Sequence, residues 1–144
     1  MPRIPRAFID EMVAHARDEL PNEACGMIHA ADGVPTSVHR VRNAAESPYR
    51  YMMDPQQQLE LELRRDREGI QLFAIYHSHV ASEARPSMTD IRMAFFPPGE
   101  IEDGQLLYPE TYYILVSLAE EPPPVRAFHI RAGGVVEEEP IEVV

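Results

Sequence analysis

"IQLFAIYHSHVASEARPSMTD", residues 70–90, decides how the chain is read. Its first eleven residues are rich in β-branched and aromatic types and hold no breaker, which predicts a strand over 70–80. Near its end stand two histidines, His77 and His79. Side chains at i and i+2 of a strand share a face. Their Cα atoms then lie roughly 6.6 Å apart, and two imidazoles leaning inward can reach one ion at about 2.1 Å each. Ser78, between them, faces the other way. After residues 80–86, Ser87 opens a helix expected to run to about Phe96, with Asp90 in its first turn. A carboxylate there can face back toward the strand end.

Two imidazoles and one carboxylate make a three-ligand site. Zinc suits that set and leaves a fourth position open to water, the mark of a catalytic site rather than a structural one. The expected cofactor is one Zn2+ per chain with a bound water, whose pKa would fall to about 7. Hydrolysis also needs a group that takes and returns a proton. Glu23, in "NEACG" ahead of a short strand, is the candidate, although spacing alone does not place it beside the histidines. Ser87 has two readings. Ser87-x-x-Asp90 is a capping-box pattern, and the Ser87 hydroxyl could equally donate to an oxyanion, an interaction whose loss costs about 3 kcal/mol. A bare His-x-His is common and carries little alone; the joint pattern is much rarer.

The rest of the chain sets bounds. Its 144 residues, 44% of them apolar, suit one globular domain, residues 1–144. No run of about 18 apolar residues exists, so no membrane span is expected, and "MPRIPRAFIDEM" does not read as a signal peptide. A net charge of −11 argues against nucleic acid as a partner. The single cysteine, Cys25, excludes an intrachain disulfide and an all-thiolate zinc knuckle. It also fits a cytoplasmic location. As a nucleophile Cys25 is weak, because a buried structural thiol is its usual state.

Ile9, Met12, Val13, Ala16 and Leu20 share a helical face, predicting a first helix over 6–20. "ACGMIHA" and "TSVHRVRN" read as strands joined at Asp32–Gly33, and "YRYMMD" as a further short strand. Asp54 and Pro55 start a helix that Gly69 stops. "TYYILVSL" is a buried strand, and "VRAFHIRAGGVVEEE" a hairpin turned at Gly133–Gly134. Glu137, Glu138 and Glu139 read as a solvated tail. His15, His39 and His129 read as solvent-facing, and His29 as a strand-end residue away from the site. Met52, Met53, Met88 and Met93 read as core or groove fillers. Residues 97–110 form a long loop, a length often tied to function. The order α-β-β-α-β-α-β-β predicts an α/β fold around a largely antiparallel or mixed sheet.

Glu23, His77-x-His79 and Ser87-x-x-Asp90 together resemble the JAMM (MPN+) motif of zinc-dependent proteases and isopeptidases, each element at that family's spacing. The resemblance implies zinc on His77, His79 and Asp90, with Glu23 as general acid/base. It also implies that Ser87 steadies the tetrahedral intermediate. It implies an α/β fold, a curved mixed β-sheet flanked by helices (MPN/JAMM, cytidine-deaminase-like). "MVAHARDELPNEACGMI", "RNAAESPYRYMMDP" and "PVRAFHIRAGGVVEEEPIEVV" resemble the small bacterial branch. That branch includes peptidases releasing cysteine from the C-terminal Gly-Gly of a ubiquitin-like sulfur-carrier protein. The implied partner is therefore a ubiquitin-like or sulfur-carrier protein with a Gly-Gly C-terminus. A deubiquitinase-like isopeptidase, a hydrolase of small molecules and a non-catalytic MPN-type scaffold are the alternatives. The segment 97–110 is longer than in small relatives, and lid, substrate clamp and dimer contact all remain open for it.

Overall fold

The computed structural model describes residues 1–144. After a two-residue strand β1 (Arg3–Ile4) comes helix α1 (Arg6–Asp18), which buries Ile9, Met12, His15 and Ala16 on one face. Strands β2 (Cys25–Ala31) and β3 (Val34–Val41) form the first hairpin, turned at Asp32–Gly33 with Gly33 at φ 78°. Helix α2 (Pro55–Glu68) is bounded as its sequence signals require: the Asp54 carboxylate accepts from the Gln57 N–H, and Gly69 closes it at φ 66°. Then follow β4 (Gln71–His79), α3 (Met88–Met93), β5 (Phe95–Phe96), β6 (Gln105–Leu106), β7 (Tyr112–Ser117), β8 (Val125–Ile130), β9 (Val136–Glu139) and β10 (Glu142–Val143).

Six of these strands make one sheet in the order β3-β2-β4-β7-β8-β9. All neighbours are antiparallel except β4 and β7, so the sheet is mixed. Alternating side chains divide the interior in two. On one face Ile28, Ala74, Tyr76, Ile114 and Val116 pack with Ile9, Met12 and Ala16 of α1. On the other, Cys25, Met27, Ile75 and Tyr113 pack with Met53, Ala94 and Phe95. The expected α/β architecture, a mixed sheet flanked by helices, is the one observed. No helix is long and apolar enough to cross a membrane.

Several expectations need correction. "YRYMMD" is not a strand; it contributes one isolated bridge, Asn43 to Met53. The Asn43 side chain explains this. It accepts from the N–H groups of Ala45 and Met52 and donates to the carbonyls of Glu23 and Arg50. One side chain thus satisfies backbone groups that a ladder would otherwise pair. The first helix ends at Asp18, and α3 ends at Met93, because Phe95–Phe96 turn away to pair with Gln105–Leu106. The segment 97–110 is a loop, as expected, with Gln105–Leu106 paired back onto Phe95–Phe96. The acidic run is no tail: Glu137, Glu138 and Glu139 lie on β9 beside β8. Arg131 at 3.3 Å, Arg126 at 4.0 Å and His129 at 3.3 Å pair with them in turn. His129 is buried, not solvent-facing.

His15 is buried too. It shares the α1 inner face with Met12 and Ala16, and its Nδ1 lies 2.7 Å from the Tyr76 hydroxyl, which makes burial tolerable. The Tyr76 ring has room because Gly26 stands opposite it in the β2–β4 register. A Cβ at Gly26 would run into that ring. Gly26→Ala is therefore expected to lower unfolding stability by about 1–3 kcal/mol, measured by urea denaturation of wild-type and variant chains; an unchanged midpoint would contradict this packing.

Candidate metal centre

The β2–β4 register assembles the site. Cys25 pairs with His77. One rung further out, the Ser78 N–H donates to the Ala24 carbonyl at 3.0 Å, and the Ala24 N–H donates to the Ser78 Oγ at 2.8 Å. Continuing that count sets Glu23 across from His79. Residues two apart share a face, so Glu23 and Cys25 lie on the same face as His77 and His79. Ser78 points to the opposite face, as its position in the strand predicts, and there it pins the backbone beside Glu23. The Glu23 N–H also donates to the Ser47 carbonyl at 2.9 Å.

Asp90 arrives from the first turn of α3. Its Oδ2 accepts from the Ser87 N–H at 2.8 Å while Ser87 Oγ accepts from the Asp90 N–H at 3.1 Å, a complete capping box. The same Oδ2 lies 3.0 Å from His77 Nε2 and 3.2 Å from His79 Nε2, and the two nitrogens are 3.3 Å apart. The loop between β4 and α3 is fastened from below. The Ser117 hydroxyl donates to the Ser82 carbonyl at 2.6 Å, and the Leu118 N–H to the His79 carbonyl at 3.0 Å.

These three ligand atoms fit a small dication. Tetrahedral ligands about 2.0–2.1 Å from zinc are separated by about 3.3 Å, and the observed edges fall within a few tenths of that. The tautomer agrees. His79 Nδ1 lies 2.7 Å from the Glu83 carbonyl, which can only accept, so that nitrogen carries the proton. Nε2, the nitrogen that faces Asp90, is therefore the one that is bare whenever His79 is neutral. Glu23 is 3% exposed and its Oε1 has no partner, as befits a carboxylate awaiting a cation or a proton.

Electrostatics separate the carboxylates. Burial pushes Glu23 up to about 8, with His79 pulling back and Asp90 adding to the rise. Burial would also raise Asp90, but the charge of His77 and hydrogen bonds from His77, His79 and the Ser87 N–H outweigh it. They hold Asp90 well below the usual carboxylate range. For His79, burial pulls downward, and the Asp90 hydrogen bond, the Glu83 carbonyl and the charges of Asp90 and Glu23 reverse that into a rise.

Two hollows flank the ligands. Glu23, His79 and Ser87 line one of about 360 Å³ with Pro48, Tyr49 and Val80. Asp90 lines the other, about 160 Å³ and mostly apolar, with Tyr51, Met52, Met93, Leu107 and Tyr108. Met52, Met53 and Met93 thus line the groove, Met53 as a buried core residue, whereas Met88 is exposed and lines neither hollow. Residues 107 and 108 bring the 97–110 segment to the groove.

All five residues singled out by sequence meet here. Cys25 shares the face but is sealed: its thiol points at the Val41 carbonyl, and burial pushes it up to about 12. His29 lies apart, with Nε2 3.2 Å from an Arg65 nitrogen. Sequence reading missed Asn43, which holds the Glu23 carbonyl, and Tyr51, whose ring stacks on His77. It also missed the pinning role of Ser78. The stretches that hold them stand out in the sequence, but their roles are not legible there, because the partners Glu23, His77 and Ala24 lie at least 20 residues away.

Comparison with known proteins adds independent findings. Residues 5–131 match the family model of prokaryotic homologs of the JAB domain. The chain is 34% identical over 141 residues to the CysO-cysteine peptidase of Mycobacterium tuberculosis, spanning 95% of this chain and 87% of that relative. A solution structure of a protein from Desulfitobacterium hafniense superposes with a TM-score of 0.80 at 34% identity, covering 100% of this chain and 93% of the other. The crystal structure of a JAB1/MPN domain protein from Archaeoglobus fulgidus superposes with a TM-score of 0.60 at 19% identity, covering 99% and 98%, a likeness of fold.

The Ser78 contact is open to direct test. Ser78→Ala leaves the buried Ala24 N–H without an acceptor, and a stability loss of about 1–3 kcal/mol is expected in chemical unfolding.

Proposed function

The chain belongs to the family of prokaryotic homologs of the JAB domain and is a JAMM-type hydrolase; we propose that it is zinc-dependent and cleaves the amide bond after the C-terminal Gly-Gly of a ubiquitin-like sulfur-carrier protein, releasing cysteine or another amine. One observation carries this reading: a His77–His79–Asp90 cluster shaped for a dication adjoins a buried Glu23 that has an unpartnered Oε1 and lines one cleft together with His79. The CysO-cysteine peptidase likeness, across nearly the whole chain, supports the substrate class.

His77, His79 and Asp90 would hold the metal, which when bound supplies Lewis acidity that acidifies water and polarises a carbonyl. Glu23 does the proton work. Its carboxylate takes the proton of the attacking water and returns it to the leaving amine. Burial helps, because a carboxyl raised toward the working pH is a better base than an ordinary one. Ser87 Oγ spends a lone pair on the Asp90 N–H and keeps its own hydrogen, so it can cap α3 and still donate to the oxyanion. The Glu83 carbonyl holds His79 in the tautomer that presents Nε2 to the site. A glycine-ended tail suits such a cleft, since residues without Cβ approach closely.

Glu23→Gln is expected to retain about one zinc per chain while losing about 10²–10⁴ in cleavage rate. Metal analysis alongside hydrolysis of a carrier–cysteine adduct, with and without a chelator, reads both. Full activity in that variant would remove Glu23 from the mechanism, and wild-type activity indifferent to the chelator would remove the metal.

The raised Glu23 carboxyl also sets a pH dependence in the metal-free protein. Folded Glu23 titrates near 8 and unfolded Glu23 near 4.5, so in between the folded chain holds the extra proton. Its contribution to stability is complete below the unfolded value and is lost as pH rises through 8. With chelator present, the wild type should lose stability relative to Glu23→Gln across that window; parallel curves in urea titrations would refute the assignment.

A further inference from the structure

The two histidines are held by different means. His79 gives its Nδ1–H to the Glu83 carbonyl at 2.7 Å. Histidines that bind metals almost always fix their far nitrogen in this way. His77 does not: its Nδ1 is buried and has no hydrogen-bond partner. What it has instead is an aromatic face. The Tyr51 ring stacks on the His77 imidazole with centroids 4.5 Å apart and planes 27° from parallel.

Tyr51 is itself well anchored. It packs against the buried cluster that includes Cys25, Met27, Ile75 and Tyr113. The backbone on both sides of it is tied to one side chain. Asn43 Nδ2 donates to the Arg50 carbonyl at 3.1 Å, and the Met52 N–H donates to Asn43 Oδ1 at 3.0 Å. Asn43 Nδ2 also donates to the Glu23 carbonyl at 3.1 Å. The residue stacked on one ligand and the residue that moves protons thus hang from the same amide.

We propose that Tyr51 is a positioning residue: its ring, by stacking, orients His77 for the metal in place of the missing hydrogen bond to Nδ1. The proposal rests on His77 being a metal ligand. It makes no use of the Tyr51 hydroxyl, so the ring alone is required.

Tyr51→Leu and Tyr51→Phe test it in the full-length chain. Zinc affinity is measured by competition with a chromophoric chelator, and ligand geometry by the visible spectrum of the cobalt-loaded protein. Tyr51→Leu is expected to bind zinc about 10–100-fold more weakly and to shift the cobalt bands. Tyr51→Phe is expected to match the wild type in both. Wild-type affinity and spectrum in Tyr51→Leu would overturn the proposal, as would a Tyr51→Phe defect equal to that of Tyr51→Leu. If Tyr51→Leu fails to fold, the wild-type chain still decides. The Tyr51 ring current should set the His77 ring protons upfield of those of His79 in its NMR spectrum, and equal shifts would overturn the stack. A wild-type chain that takes up no zinc would overturn the metal reading and this proposal together; uptake indifferent to Tyr51 would overturn this proposal alone.

Discussion

The site depends on a single strand register. Cys25 opposite His77 is the pairing from which Ala24 opposite Ser78, and Glu23 across from His79, follow. A slip of one residue would send Glu23 to the α1 face, among Ile28, Ala74 and Tyr76, because side chains alternate strictly. The register is therefore guarded at the rung next to the chemistry. Ser78 contributes both its backbone and its hydroxyl there, so Ala24 is bound twice. Gly26 opposite Tyr76 favours it again from within the sheet, since a Cβ at that position would run into the ring.

A second economy lies in Asp90. One oxygen completes the capping box of α3 and faces both histidines. Helix α3 is six residues long, and so short a helix has little stability of its own. Its start is fixed by the same carboxylate that faces the two histidines. The capping box and the three-residue cluster therefore share one oxygen atom. The capping half of the Ser87-x-x-Asp90 pattern is thus present in full.

What could be read from the sequence followed the range of the interactions. His77, His79, Ser87 and Asp90 are close in the chain, and strand parity with a helix start was enough to bring them together. The caps of α2 and the Gly133–Gly134 hairpin were legible for the same reason. Glu23 was nameable as a candidate, but its placement needed a register that only the folded sheet displays. The aromatic run "YRYMMD" has strand composition, yet Asn43 takes over its backbone bonds, and a composition argument has no access to that. His15 looked solvent-facing among charged neighbours because its partner, the Tyr76 hydroxyl, lies 61 residues away. The run Glu137–Glu139 looked like a tail because charge outweighs strand propensity on local evidence; pairing with β8 decided otherwise.

That glutamate-rich strand has a wider consequence. β9 is an outer strand of the six-stranded sheet, and outer strands present unpaired backbone groups to any extended chain that passes. Three successive carboxylates, on a molecule already carrying −11, make that border a poor template for β-rich aggregation or strand exchange between copies. The charged border lies at the far side of the sheet from β2 and β4, so the His77–His79 pair on β4 and Glu23 just ahead of β2 are kept apart from it.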